Sequence, residues 1–201
     1  MTARQLVLAS GNRGKLAELQ SMLEPLGVTL FSQSQLGIGG AEEPHLTFLE
    51  NALAKARHVS AASGLPALAD DSGLCCRALQ GLPGVRSARF AGDLATDDQN
   101  NQALLRSLQG VTERRAHFCC VMVAVRAADD PEPIVAMGRW EGRILEAPQG
   151  DHGFGYDPLF WVPSAGVSAA QMASGQKNQI SHRAVAMQQL LQQFPERWSW
   201  T

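Results

Sequence analysis

The sequence has no apolar run of about eighteen residues, so a membrane-spanning helix is not expected. It has no surplus of basic charge. Its 17 Lys and Arg nearly balance 19 Asp and Glu, for a net charge of -2, whereas a general nucleic-acid binder should be more basic. A pocket for a small anion stays open, because local rather than total charge makes it. The first residues lead into only a few apolar positions, shorter than the hydrophobic core of a secretory signal. The four cysteines form two adjacent pairs, Cys75-Cys76 and Cys119-Cys120, without the C-x-x-C spacing of metal or redox sites. In strands each pair would split across the two faces of a sheet. They read as reduced, small hydrophobes in a cytoplasmic protein. Repeats and low-complexity tracts are also missing.

What is present is core-forming material. Hydrophobic residues make up 45% of 201 positions, and a chain of this length buries roughly 70% of its unfolded surface. Residues 1–201 are expected to form a single domain, with room for two lobes. Short strands and helices alternate early, strands dominate the middle, and helices return at the end. That order predicts an α/β fold: a mixed central sheet flanked by helices, with two lobes around a cleft.

The stretch Leu68-Ala69-Asp70-Asp71-Ser72-Gly73 carries the strongest chemical signal. An apolar run ends at two adjacent carboxylates, as strands do where open α/β sheets build sites. If the backbone is extended there, Asp70 and Asp71 face opposite ways and do different jobs. The competing reading is a plain polar turn, with a new strand from residue 74.

Upstream, a strand over residues 5–9 runs into Ser10-Gly11-Asn12-Arg13-Gly14-Lys15, and Leu16, Leu19, Met22, Leu23 and Leu26 follow at helical spacing. Free N–H groups at that helix start, with Lys15, suit an anion. An ordinary helix-start turn is the alternative, and the loop is too short for a P-loop. Thr47-Phe48-Leu49-Glu50 has the form of a capping box opening a helix that Gly64 closes. Glu50 is then either a cap or a metal-site acid. Residues 116–125 form a continuous apolar strand, buried on both faces. Residues 133–140 and 142–145 read as two strands of a meander. Gly153-Phe154-Gly155-Tyr156-Asp157 combines glycines with side chains poorly suited to mere exposure. Gly175 to Asn178 reads as a helix interruption. Ser181 caps the last helix, whose first turn carries His182 and Arg183 against the helix dipole. Either a bound phosphate or base carbonyl offsets that cost, or both side chains extend into water.

Five patches in this order resemble the Ham1-like family of non-canonical purine nucleoside triphosphate pyrophosphatases. They are Ser10 to Lys15, Phe48-Leu49-Glu50-Asn51-Ala52 with Lys55, Ala69 to Leu74, Gly153 to Phe160, and Lys177-Asn178 with Ile180-Ser181-His182-Arg183. Gly81-Leu82-Pro83-Gly84 and its sequel look similar too. The resemblance implies an elongated Ham1/ITPase-like sheet with a nucleotide cleft, a homodimer, and Mg2+-dependent hydrolysis of ITP, dITP and XTP to monophosphate and pyrophosphate. It implies that Ser10, Gly11, Asn12, Arg13, Gly14, Lys15 and Ser72 bind substrate. Phe154, Gly155, Tyr156, Asp157, Lys177, His182 and Arg183 would line the nucleotide. Asp71 would be proton acceptor and magnesium ligand, with Asp70 and Glu50 as further metal-site acids. An oxygen-rich site suits Mg2+ or Mn2+ rather than zinc. Two alternatives remain: a pyrophosphatase preferring another modified base, and a nucleotide-binding module without turnover.

Overall fold

A computed structural model of the chain describes residues 4–11, 16, 19–20 and 22–198. Among the described residues there are seven strands, β1 (Arg4–Leu8), β2 (Val28–Ser32), β3 (Ala67–Cys76), β4 (Arg115–Val125), β5 (Ile134–Ile144), β6 (Phe160–Val162) and β7 (Val167–Ser168). They form one mixed sheet in the order β2-β1-β3-β4-β5-β6-β7. Four α-helices with bounds among the described residues are α1 (Phe48–Ser63), α2 (Asp97–Ser107), α3 (Ser174–Ile180) and α4 (His182–Trp198). The expected mixed sheet with helices is therefore observed.

The chain divides into two compact units: Met1–Asp71 with Val121–Met137 and Val185–Thr201, and Ser72–Cys120 with Gly138–Ala184. In the first, β1 pairs in parallel with β2, Leu6 opposite Leu30, and with β3, Leu8 opposite Leu68. Leu6, Val7, Leu8, Leu68, Val123 and Val125 are all fully buried. Each such side chain contributes about 1.5–3 kcal/mol by leaving water. Helix α1 starts where Thr47 accepts a hydrogen bond from the Glu50 N–H, and ends at Gly64, whose φ of 68° is left-handed. Helix α4 buries Ala186, Met187, Leu190 and Phe194, the spacing of one helical face.

In the second unit, β6 pairs antiparallel with β5 and β7. Its core gathers Leu74, Leu104, Phe118, Trp140, Tyr156 and Phe160. Thr96 and Gln99 form a reciprocal capping box at the start of α2.

Three sequence expectations are corrected, and one of two open alternatives is closed. Strand β3 does not stop at Asp70-Asp71-Ser72-Gly73 but runs through it to Cys76, because the acids find partners that let them stay buried. Residues 133–145 are not two strands: β5 is continuous, with Gly142 inside it. A Cβ there would meet the Phe160 ring at 2.5 Å, so the glycine serves close approach rather than a turn. Helix α3 passes through Gly175 instead of breaking at it. His182 and Arg183 do not extend into water: they are only 5% and 4% exposed.

Candidate active site

In the first unit, the carboxyl end of β1 lies beside the first residues of parallel β3, Leu8 opposite Leu68, and the carboxyl end of a strand is where open α/β sheets build sites. The Ala9 N–H donates to the Leu68 carbonyl at 2.8 Å, so Ser10 and Gly11 leave β1 next to the segment that carries the acids. Asn12, Arg13, Gly14 and Lys15 lie outside the described residues. Asp70 and Asp71 are both buried in β3, and as strand neighbours they point to opposite faces.

Helix α1 supplies the partners of Asp71. Asn51 and Lys55, one turn apart, project from the same helical face. Asn51 Nδ2 donates to Asp71 Oδ2 at 3.3 Å, and Lys55 Nζ to Asp71 Oδ1 at 3.1 Å. Lys55 Nζ also donates to Glu43 Oε1 at 2.9 Å. Asn51 is fully buried. It accepts from the His45 N–H at 3.0 Å and donates to the His45 carbonyl at 3.3 Å, tying down the segment before the helix.

Burial pulls the Lys55 pKa down, but Asp71, Asp70 and Glu43 outweigh it and hold the ammonium above its ordinary value. Burial also lifts the Asp71 carboxyl above the usual range; Lys55 opposes this and Glu43 adds to it. Lys55 is thus drawn by all three carboxylates at once. Among the described residues no group of three or more His, Cys, Asp or Glu is arranged to hold a metal by itself. Mg2+ rarely asks for such a cage: it takes one or two carboxylates and completes its shell with water and substrate phosphates. Asp71, with Glu43 joined to it through Lys55, fits that demand. Glu50 is exposed and accepts from the Thr47 hydroxyl at 2.6 Å.

The second unit assembles a different surface. Gly153 and Gly155 have φ of 80° and 60°, left-handed values suited to glycine, and between them Phe154 stands 52% exposed. Beneath the loop, Asp157 accepts from the Phe154 N–H at 3.0 Å and pairs with Lys177. The buried Tyr156 hydroxyl donates to the Ser87 carbonyl at 2.9 Å. Lys177 Nζ and the Arg183 guanidinium lie 5.3 and 5.6 Å from the Phe154 ring centre, within cation–π reach. His182 stacks on Phe118 with centroids 4.8 Å apart and planes 13° from parallel, and on Trp140 at 6.3 Å. That stacking sets the plane of the imidazole. Ser72 is half-buried within β3. The four cysteines are free thiols; burial pushes Cys75 up to about 11 and Cys76 up to about 12, so both stay protonated and inert.

Sequence reasoning singled out Asp70, Asp71, Phe154, Asp157, Lys177, His182 and Arg183, all of which fall in these two clusters. It passed over Glu43, Asn51 and Lys55 as site groups. The available signal was the i,i+4 pair of Asn51 and Lys55 on an otherwise alanine-rich helix. It also passed over Asp97 and Asn101 of α2, which bond to Gly155.

The sequence profile of the Ham1 family matches residues 6–193. A dITP/XTP pyrophosphatase of Ralstonia nicotianae is 55% identical over 194 residues, 95% of this chain and 96% of that one. The dITP/XTP pyrophosphatase of Aromatoleum aromaticum is 56% identical over 191 residues, with 95% and 96% covered. Among solved structures, a HAM1 protein from Coxiella burnetii superposes with a TM-score of 0.90 at 46% identity, covering 93% of this chain and 96% of its own. The Staphylococcus aureus Ham1 protein gives 0.86 at 38% identity, covering 96% and 98%. With sequence, fold and the acid-bearing strand all in agreement, the chain belongs to the Ham1 family.

Proposed function

We propose that the protein is a hydrolase that cleaves ITP, dITP and XTP to the nucleoside monophosphate and pyrophosphate. The observation that carries this reading is the buried Asp71, held by Asn51 and Lys55 with Glu43 alongside. The names of the relatives in Ralstonia nicotianae and Aromatoleum aromaticum support it.

Asp71, with Glu43 alongside, would hold Mg2+, and Asp70 and Glu50 would complete or orient its shell. When bound, the ion neutralises phosphate charge and makes the α-phosphorus more open to attack. Asp71 orients a water toward that phosphorus and takes its proton as the new P–O bond forms. The bond to the bridging oxygen breaks, and pyrophosphate leaves with that electron pair. Asn51 fixes the Asp71 carboxylate, and Lys55 balances charge as the proton moves. Ser10, Gly11 and the following Asn12-Arg13-Gly14-Lys15 segment bind the phosphates.

In the second unit, Phe154 offers a face for the purine. Donors from Arg183 or His182 suit the 6-oxo group of hypoxanthine and xanthine, and oppose the 6-amino group of adenine. A buried polar group left unpaired costs about 1–3 kcal/mol, enough for strong discrimination. Lys177 and Arg183 add positive charge near the nucleotide. The reading includes a homodimer acting in the cytoplasm.

A panel of ITP, dITP, XTP, ATP and GTP, with and without Mg2+ and scored for pyrophosphate, tests the assignment. Pyrophosphate release from the 6-oxo set without a 2-amino group supports it. Binding without release, or equal turnover of ATP, refutes it. Sedimentation at twice the chain mass supports the dimer, and at a single chain mass rejects it.

A further inference from the structure

The loop that carries Phe154 is gripped from a helix outside it. Asp97 and Asn101, one turn apart on α2, hold both backbone polar groups of Gly155. Asp97 Oδ2 accepts from the Gly155 N–H at 2.6 Å, and Asn101 Nδ2 donates to the Gly155 carbonyl at 2.9 Å. The capping of α2 does not require either side chain, since Thr96 and Gln99 already close that helix end reciprocally. Asn101 is only 6% exposed, and its Oδ1 is buried with no hydrogen-bond partner. A buried amide answered at one end only is a cost, and a fold retains such a cost where position matters more than stability.

Gly155 also has a backbone that glycine adopts without strain. Its φ of 60° and the 80° of Gly153 leave Phe154 between two hinges that glycine would otherwise let swing. The internal bond from the Phe154 N–H to Asp157 secures one side of the ring. The α2 contacts secure the other. We propose that Asp97 and Asn101 are positioning residues for base selection: by immobilising Gly155 they fix how Phe154 presents its ring to a 6-oxopurine. This rests on the reading that Phe154 is the platform for the base.

The test is steady-state kinetics with ITP and GTP on Asp97→Ala, Asp97→Asn, Asn101→Ala, Phe154→Ala and the Asp97→Ala/Phe154→Ala double variant. Asp97 is exposed at the helix surface, so its variants fold even where Asn101→Ala does not, and they decide the matter. Asp97→Ala is expected to raise KM for ITP about tenfold, to change kcat less than about threefold, and to narrow the ITP-to-GTP preference. Asp97→Asn keeps an acceptor oxygen and restores most of the wild-type KM. Because Asp97 acts through Phe154, adding Asp97→Ala to Phe154→Ala raises KM less than about twofold further. An Asp97→Ala enzyme with wild-type KM and preference, beside a Phe154→Ala enzyme that loses both, overturns the positioning role alone. Fully multiplicative effects in the double variant overturn it as well. A Phe154→Ala enzyme with unchanged KM overturns the platform reading, and the inference falls with it.

Discussion

Replacing Asp71 by Asn separates chemistry from folding. The amide keeps the shape of the carboxylate and its oxygen can still accept from Lys55, 3.1 Å away, but its NH2 group takes the place of the oxygen that accepts from Asn51 at 3.3 Å. What it loses is the negative charge and the ability to take a proton. Burial already disfavours the ionised form, lifting its pKa above the usual carboxylate range. Removing the charge therefore relieves that cost while weakening the Lys55 pair. The two changes oppose one another; with the lost Asn51 bond the net is expected to be a cost of about 1–2 kcal/mol, or roughly 2–8 °C in Tm for a chain of this size. Turnover of ITP should fall by roughly 100-fold or more, equivalent to about 2.7 kcal/mol of lost transition-state stabilisation. Mg2+ supplies an independent readout. At ten times its dissociation constant an ion bound only by the folded state adds about 1.4 kcal/mol. That raises wild-type Tm by about 3–6 °C, and the variant should show less than half of it. Pyrophosphate release and thermal scans, each with and without Mg2+, measure all three quantities. Near-wild-type turnover would remove Asp71 from the chemistry, and an equal Mg2+ shift in the variant would remove it from the metal site.

Lys55→Met leaves Asp71 and Glu43 facing each other without their shared cation, so it should cost about 3 kcal/mol and most activity. Adding Glu43→Gln should recover part of the lost Tm; a further drop would refute the charge argument. Asp130 accepts from the Arg126 backbone and guanidinium and from the Glu132 N–H, contacts that hold its carboxyl well below the ordinary value. Its stabilisation is complete above about pH 4, the unfolded value, and drains away as pH falls through the depressed one. Asp130→Asn should therefore lower Tm by about 4–8 °C at pH 7, for a loss of about 2 kcal/mol. The deficit should shrink on acidification, and one constant from pH 7 to pH 2 would contradict the linkage. Asn100→Asp keeps the acceptor for the Ala91 N–H but loses the donor to the Ala88 carbonyl, at an expected cost of about 1–3 kcal/mol by denaturant titration.

Where local pattern governs structure, the sequence was readable. Thr47 and Gly64 bracket α1, Thr96 opens α2, and the unbroken apolar run of β4 is buried throughout. The failures share one cause: a residue that reads as punctuation was chosen for a distant contact. Asp70-Asp71-Ser72-Gly73 looks like a turn until α1, some twenty residues earlier, brings Asn51 and Lys55 to Asp71. Gly142 looks like a break until the ring of Phe160 is seen to need its space. A window of ten residues contains neither partner. Charged residues with evident chemistry, such as Asp71, Lys177 and Arg183, stood out for the same reason that turns misled: type alone is informative at a polar site and ambiguous elsewhere.

The site residues that escaped notice obey a rule of their own. Asn51, Asn100 and Asn101 sit on helices yet are 0%, 2% and 6% exposed. By hydropathy each belongs on the solvent face. Each instead grips the backbone of a loop: Asn51 at His45, Asn100 at Ala88 and Ala91, Asn101 at Gly155. A carboxamide carries one acceptor and two donors, the same groups a peptide unit presents, so it can dock irregular chain against a helix without bringing charge inside. Asp would lose the donor, and Leu would leave the loop's own N–H and C=O unanswered. A buried helical asparagine is therefore a statement about the loop it faces. Here two of the three face the segments that hold Glu43 and Phe154, so the helices α1 and α2 act as frames from which the irregular parts of the candidate site are hung.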